Sequence, residues 1–420
     1  MRSGDMIEGM TSLRILAALC LAISSAAASP PEQKTSAKGL TYQIRRPDKY
    51  TRGQHPLVLA LHGAGDSCAN FMRWITSPEA TFPADAILVA PQALQNGAWD
   101  KDDLEPLAAL VRDLKAEHDP TRTIGFGFSR GAYYTFHLGT THPELYDGAI
   151  PHSGGLPGAV PDTEAMRNLP FYVCHGDADK VVPVGQSEQA VALLEKAKVP
   201  VKLEKIAGLA HTVDWKAVKR GLDWLNGILD ERQKALEQDV VGKLAALEKS
   251  LKAKSWDAAA SGFAAIVRVP PRLTPKLAAL AKAHATSAEE AVALAAIAAA
   301  GRCGADGVVA LKGVPGTNER LAPAAAAALA QTGASAATEA LLSYLKAKSD
   351  VVATAAAAAM GQMGGASATG ALVSGLSHCE SQYPSSPRKA AIQDALTKIT
   401  GQSFAKASEW KKWVADSAKK

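Results

Sequence analysis

The chain has few cysteines, five in 420 residues, and Cys20, Cys68, Cys174, Cys303 and Cys379 lie too far apart to form the close pairs that hold zinc. No His/Cys cluster has zinc-ligand spacing either, so no metal is expected, and no cofactor is proposed. Aromatic residues make up only 5%, and no dense Arg/Lys stripe with interleaved aromatics occurs in a chain whose net charge is only +5, which excludes nucleic acid as an expected partner. The lysines Lys406, Lys411, Lys412, Lys419 and Lys420 supply part of the positive excess as a solvated C-terminal face. Long apolar runs are also scarce: Ile15 to Ile23 is too short to span a bilayer, and other long apolar stretches are rich in alanine and glycine.

What is present is a globular composition, 47% hydrophobic and 21% charged, in a chain long enough for two or three domains. Residues 1–28 read as a secretory signal peptide: Arg14, the apolar stretch, then Ala26-Ala27-Ala28 as a small-residue cleavage site. Asp5 and Glu8 precede Met10, so Met10 suits the start of that leader better than Met1. Leu19 is too large before Cys20 for a lipoprotein signal. A periplasmic or secreted location is expected, where an oxidising milieu permits disulfides that the sequence cannot pair.

From about 38 to 230, strand-like runs alternate with helical ones. Pro56 to Leu61 and Ala86 to Pro91 are continuous apolar stretches, as strands buried on both faces require. Asp102 and Asp103 precede the helical periodicity Leu104, Leu107, Leu110, Val111 and Leu114. The alternation predicts a doubly wound, mainly parallel α/β sheet, whose site lies beyond the C-terminal strand ends.

Four segments follow such ends. Gly127-Phe128-Ser129-Arg130-Gly131 places a serine between glycines at a strand-to-helix turn, which suits a strained, outward-held nucleophile. His62-Gly63-Ala64-Gly65 brings backbone close to a ligand, so its N–H groups, with that of Arg130, can hold an oxyanion. His175 to Pro183 carries two carboxylates, Asp177 and Asp179. The fourth, Gly208-Leu209-Ala210-His211, offers a base. A serine needs such a base, and the base needs an orienting carboxylate. Asp179 is favoured because it leads into Lys180-Val181-Val182-Pro183, with Asp177 as competitor and turn former. His62 and His175 read as loop fixers, and His152 as a further candidate lining the pocket.

The ordered set Leu-His-Gly-Ala-Gly-Asp, Gly-Phe-Ser-Arg-Gly, His-Gly-Asp-Ala-Asp-Lys-Val-Val-Pro and Ala-His-Thr resembles the α/β-hydrolase superfamily. Within it the likeness is to compact carboxylesterases related to dienelactone hydrolases, phospholipase/carboxylesterases and polyhydroxybutyrate-depolymerase-like esterases. The resemblance implies Ser129 as nucleophile, Asp179 as acid, His211 as base, and Ala64 and Arg130 as oxyanion donors; His62, Gly63, Phe128 and His152 are expected around the pocket from their places beside the strand ends. The activity implied is hydrolysis of carboxylic esters, small or polymer-linked, through an acyl-enzyme. Peptidase action and an idle scaffold that presents the second half to a partner are the alternatives. Phe128 and Arg130 depart from many relatives: Phe128 narrows the pocket floor, and Arg130 either faces an anionic acyl group or is solvated. Only about twenty residues separate Ile150 from Phe171, so no large lid is expected.

Residues 231–285 read as a helical connector, with Leu236, Val240, Leu244, Leu247 and Leu251 on one face. Residues 286–420 echo themselves. Ala291 to Gly301, Ala324 to Gly333, Ala353 to Gly364 and, more weakly, Ala391 to Gly401 are alanine-rich segments ending in glycine, each glycine suited to a left-handed helix stop. The stretch resembles degenerate HEAT-like repeats, and an all-α repeat domain is predicted that braces the enzyme or binds a protein or glycan. Trp410 and Trp413 are expected to cap the stack.

Overall fold

A computed structural model describes residues 30–95 and 97–417, which divide into two compact units, one ending at Leu229 and one beginning at Asp230. The expected leader, Met10 and Cys20 lie outside the described residues. Among those described, no helix is long and apolar enough to cross a membrane.

The first unit is an eight-stranded sheet with helices between the strands. In chain order its elements are β1 Glu32–Thr35, β2 Thr41–Arg45, β3 Leu57–Leu61, α1 Cys68–Ile75, β4 Ile87–Pro91, α2 Leu104–His118, β5 Thr123–Phe128 and α3 Arg130–Thr141. There follow β6 Gly148–His152, α4 Glu164–Arg167, β7 Phe171–Gly176, α5 Gly185–Lys196, β8 Val201–Ile206 and α6 Trp215–Lys252. Across the sheet the strands run β1-β2-β4-β3-β5-β6-β7-β8. β1 and β2 are antiparallel to their neighbours, and every pair from β4 to β8 is parallel. β1 begins before residue 38, where the first domain was expected to start.

The period-2 alternation of strand side chains feeds two separate cores. Leu57, Leu59 and Leu61 of β3, with Ile87, Val89, Phe171 and Val173, pack on one face; Val58, Ala60, Leu88, Ala90, Tyr172 and Cys174 pack on the other. Because both faces are covered, β3, β4 and β7 are buried at every position, which is why they read as unbroken apolar runs. Between β6 and β7 the one helix is the four-residue α4, so no lid domain is inserted there.

The second unit is all helix. It holds the C-terminal part of α6 and then α7 Trp256–Ala265, α8 Thr274–His284, α9 Glu290–Gly301, α10 Gly304–Leu311 and α11 Ala322–Gln331. These continue into α12 Ala337–Leu345, α13 Asp350–Met363, α14 Gly365–Gln382, α15 Arg388–Thr400 and α16 Ala407–Ser417. Odd-numbered helices from α7 to α15 pack on one another in sequence, and even-numbered ones from α8 to α16 do the same, giving two stacked layers of helix pairs. The four alanine-rich segments all fall in the odd layer. Their larger residues Ile297, Leu329, Met360 and Leu396 are buried in one shared core.

Two expectations change here. Val240, Leu244, Leu247, Ala259 and Phe263, within the stretch read as a connector, belong to the same core as the repeats. Gly401 is a left-handed stop with φ 69° and ψ 4°, and Gly333 has φ 63°; Gly364 has φ 67° but ψ −168°, which is not left-handed helical, and Gly301 has no positive φ. Its role is close packing, since a Cβ there would lie 3.1 Å from Ala328 Cα. Trp410 is fully buried in the last helix, edge-on to Trp413 and Phe404.

Candidate active site

The turn at Ser129 is built by steric necessity. Ser129 has φ 56° and ψ −121°, a strained conformation for a residue with a side chain, directly between β5 and α3. The flanking glycines allow it: a Cβ at Gly127 would lie 2.3 Å from Gly131 O, and one at Gly131 would lie 2.0 Å from Leu61 O. Both are contacts with backbone that cannot yield. Ser129 N–H donates to His152 O at 2.9 Å, which ties the turn to β6.

β7 and β8 deliver the partners. His211 Nε2 lies 2.9 Å from Ser129 Oγ, and His211 Nδ1 lies 2.7 Å from Asp179 Oδ2. Asp179 Oδ1 accepts from the N–H groups of Val181 and Val182, each at 2.9 Å. Burial alone would push the Asp179 carboxyl up, but the hydrogen bonds from His211 and from those two N–H groups outweigh it and hold the group below the usual carboxylate range. Asp177 is placed otherwise: its Oδ1 accepts from Gly208 N–H and so shapes the turn after β8. His175, fully buried, fixes the acid loop. Its Nε2–H donates to Val182 O at 2.8 Å and stands 3.5 Å from Asp179 Oδ2, while Nδ1 pairs with Ser187 Oγ at 2.7 Å.

Ala64 is exposed on the loop after β3, and Arg130 opens α3. Neither N–H has an acceptor among the described residues, so both are free to donate. Gly63 adds no side chain: a Cβ there would touch Ser129 Cβ at 3.5 Å. Phe128 is half-buried, its ring 4.9 Å from that of His211 and edge-on to Trp74, so it walls the site beside the base.

His62, read as a loop fixer and as a possible pocket residue, and His152, read as a pocket candidate, are both fully buried and line no open pocket surface. His62 Nδ1–H donates to Gly63 O at 2.8 Å, its Nε2 accepts from Ala93 N–H at 3.3 Å, and burial lowers its pKa. His152 Nε2 accepts from Asp214 N–H at 3.2 Å, and burial, reinforced by His175, takes its pKa down to about 3. They are neutral struts beneath the loops. Arg130 does not point to a free anion site; its Nε donates to Trp99 O at 3.0 Å and its guanidinium lies over the Tyr134 ring. Trp99 and Ser187 were not singled out in the sequence. A tryptophan in a loop just after a strand was the only signal for the first, and none marked the second.

No group of three or more His, Cys, Asp or Glu with metal-binding geometry occurs among the described residues. Beyond the strand ends a hydroxyl, an imidazole and a carboxylate stand in series.

Residues 90–228 match the model of the phospholipase/carboxylesterase family. Similar solved structures include a thermostable esterase, 22% identical, covering 47% of this chain and 62% of its own length with a TM-score of 0.38. This chain thus spans less than two thirds of that esterase. Acyl-protein thioesterase 2 of Zea mays is 21% identical, covering 44% of this chain and 97% of its own, with a TM-score of 0.37. A Bacillus cereus carboxylesterase is 18% identical, covering 45% and 94%, with a TM-score of 0.36.

Proposed function

We propose, from the premise that the N-terminal unit is an α/β-hydrolase of the phospholipase/carboxylesterase type and acts on esters, that Ser129, His211 and Asp179 are its catalytic triad. The observation that carries the reading is the unbroken hydrogen-bonded run from Asp179 through His211 to Ser129. Ser129 Oγ attacks the ester carbonyl carbon while its proton passes to His211 Nε2. Asp179 holds the imidazole by its Nδ1–H and stabilises the imidazolium. The carbonyl oxygen gathers charge and is met by the N–H groups of Ala64 and Arg130. When the tetrahedral intermediate collapses, His211 returns the proton to the departing alcohol and the acyl group stays on Ser129. Water, deprotonated by the same histidine, then releases the carboxylic acid and restores the serine.

The short β6–β7 connection leaves the serine without a lid, which supports carboxylic esters of modest acyl size or polymer-linked esters over emulsified long-chain lipid. The enzyme is proposed to act after export, in the periplasm or outside the cell, with the helical unit offered to a protein or glycan partner. The test is turnover of p-nitrophenyl acetate together with labelling by a fluorophosphonate, both abolished in Ser129→Ala. Wild type and variant equally inert over a range of acyl lengths would sink the reading in favour of an idle scaffold.

A further inference from the structure

An oxyanion site made of two N–H groups works only if both are held at hydrogen-bond distance from one point, to about half an ångström. Here they come from different segments. Arg130 N–H is set by the first turn of α3. Ala64 N–H sits on an exposed loop beside Gly65, whose φ is 79°. That loop needs an external restraint.

The restraint converges on Trp99, which is fully buried. Its Nε1–H donates to His62 O at 2.8 Å, directly under the Ala64 loop, and its ring lies 4.8 Å from the His62 imidazole. Its own carbonyl accepts from Arg130 Nε at 3.0 Å, and the Arg130 guanidinium is seated over Tyr134, 5.5 Å from the ring centroid. The same segment grips the loop once more, since Gly65 N–H donates to Gly97 O at 3.0 Å. One residue is thus bonded by its side chain to the segment carrying the first donor and by its backbone to the side chain of the second. A guanidinium that served only as a solvated charge would have no reason to aim its Nε at a backbone carbonyl.

We infer that Trp99 and the Arg130 side chain are positioning residues that strap the two oxyanion donors together, and that Arg130 stands after the nucleophile for this purpose and not to recognise an anionic substrate. The inference rests on the ester-hydrolase reading. Because the strap serves a charge that exists only in the transition state, its loss lowers kcat and leaves substrate binding alone.

The experiment uses the full chain and four variants: Trp99→Phe, which keeps a ring and deletes the indole donor; Arg130→Met, which keeps the backbone N–H; Arg130→Lys, which restores a donor; and the double variant Trp99→Phe/Arg130→Met. With p-nitrophenyl acetate, Trp99→Phe and Arg130→Met are each expected to lower kcat about 10- to 100-fold with KM changed less than about two-fold. Affinity for a trifluoromethyl ketone, which forms a hemiketal oxyanion on the serine, should fall by the same factor as kcat/KM. Arg130→Lys should recover part of the loss, and the double variant should be no worse than the poorer single one, because both cut the same strap. The inference is overturned if Arg130→Met, exposed at the surface and able to fold, keeps full kcat, if it raises KM only for esters with an anionic acyl group, or if the two losses multiply. A wild type that neither turns over esters nor takes up fluorophosphonate overturns the function reading itself, whereas an active wild type with insensitive variants overturns the strap alone.

Discussion

Ser129 N–H donates to the carbonyl of His152 at 2.9 Å, and the imidazole of that same His152 accepts from Asp214 N–H three residues beyond His211. One buried histidine therefore joins the turn bearing the hydroxyl to the loop bearing the base. A sheet register that pairs Phe128 with His152 makes this possible.

The strain at Ser129 separates stability from activity. Ser129→Gly should abolish hydrolysis and yet stabilise the first unit by about 1 kcal/mol, the relieved strain less the entropy that glycine adds to the unfolded chain. Ser129→Ala should lower kcat by roughly 10⁴-fold or more without that gain. Urea denaturation beside ester assays reads both effects. A Ser129→Gly protein less stable than wild type would contradict the strain.

The two aspartates of the acid loop should respond very differently. Asp179→Asn removes the carboxylate that orients His211 and should cost on the order of 10³- to 10⁴-fold in kcat. Asp177→Asn keeps an acceptor for Gly208 N–H and should leave kcat within about two-fold. Comparable losses in the two would mean that the wrong carboxylate has been placed beside the base.

Buried neutral histidines should make stability depend on pH. Burial lowers the pKa of His62 and His118 and takes that of His152 to about 3, so between pH 6.5 and 3 the unfolded chain binds protons that the folded one does not. Stability must then rise with pH across that window and fall on acidification, His152 alone contributing at most roughly 5 kcal/mol. The depressed Asp179 carboxyl acts in the same direction at the acid end: its contribution is present above its unfolded pKa and is lost as pH falls through its folded one. His152→Gln retains an acceptor for Asp214 N–H but does not titrate, so its unfolding free energy should vary less steeply from pH 4 to 7. Parallel slopes in wild type and variant would refute the assignment.

Cys68, Cys174, Cys303 and Cys379 are all buried and unpaired, and burial pushes each thiol up, that of Cys303 to about 11. Reductant should not move the melting temperature, and a thiol reagent should find these four only after denaturation. A lower melting point in dithiothreitol would reveal a disulfide that the fold does not contain.

In the helical unit, Arg388 is buried with its Nε on Asp350 and two further nitrogens on Ala347 O and Lys348 O, and its guanidinium is stacked 4.2 Å from the Tyr383 ring centroid. Arg388→Met should destabilise that unit by about 3 kcal/mol, because it strands carbonyls and a carboxylate that now share one cation. Ester hydrolysis at temperatures below the transition should be unchanged. Loss of activity in step with loss of stability would contradict the independence of hydrolysis from the helical unit.

Much of this was already written in local residue patterns. Unbroken apolar runs marked strands covered on both faces, and a serine between glycines marked a turn where backbone meets backbone, because those constraints act over a few residues. The places of Ser129, Asp179 and His211 just beyond strands, and the alanine-rich helices, were readable for the same reason. The 38-residue helix α6 was not, since nothing in the Trp224-Leu225-Asn226 segment stops a helix even though composition changes there. Contacts between distant segments were equally out of reach: that His152 is a buried strut and not pocket lining, and that Arg130 turns to the carbonyl of Trp99, 31 residues earlier. Which donor finds which acceptor depends on strand register and on loops meeting across the sheet edge, and only the folded chain brings those groups within 3 Å of one another.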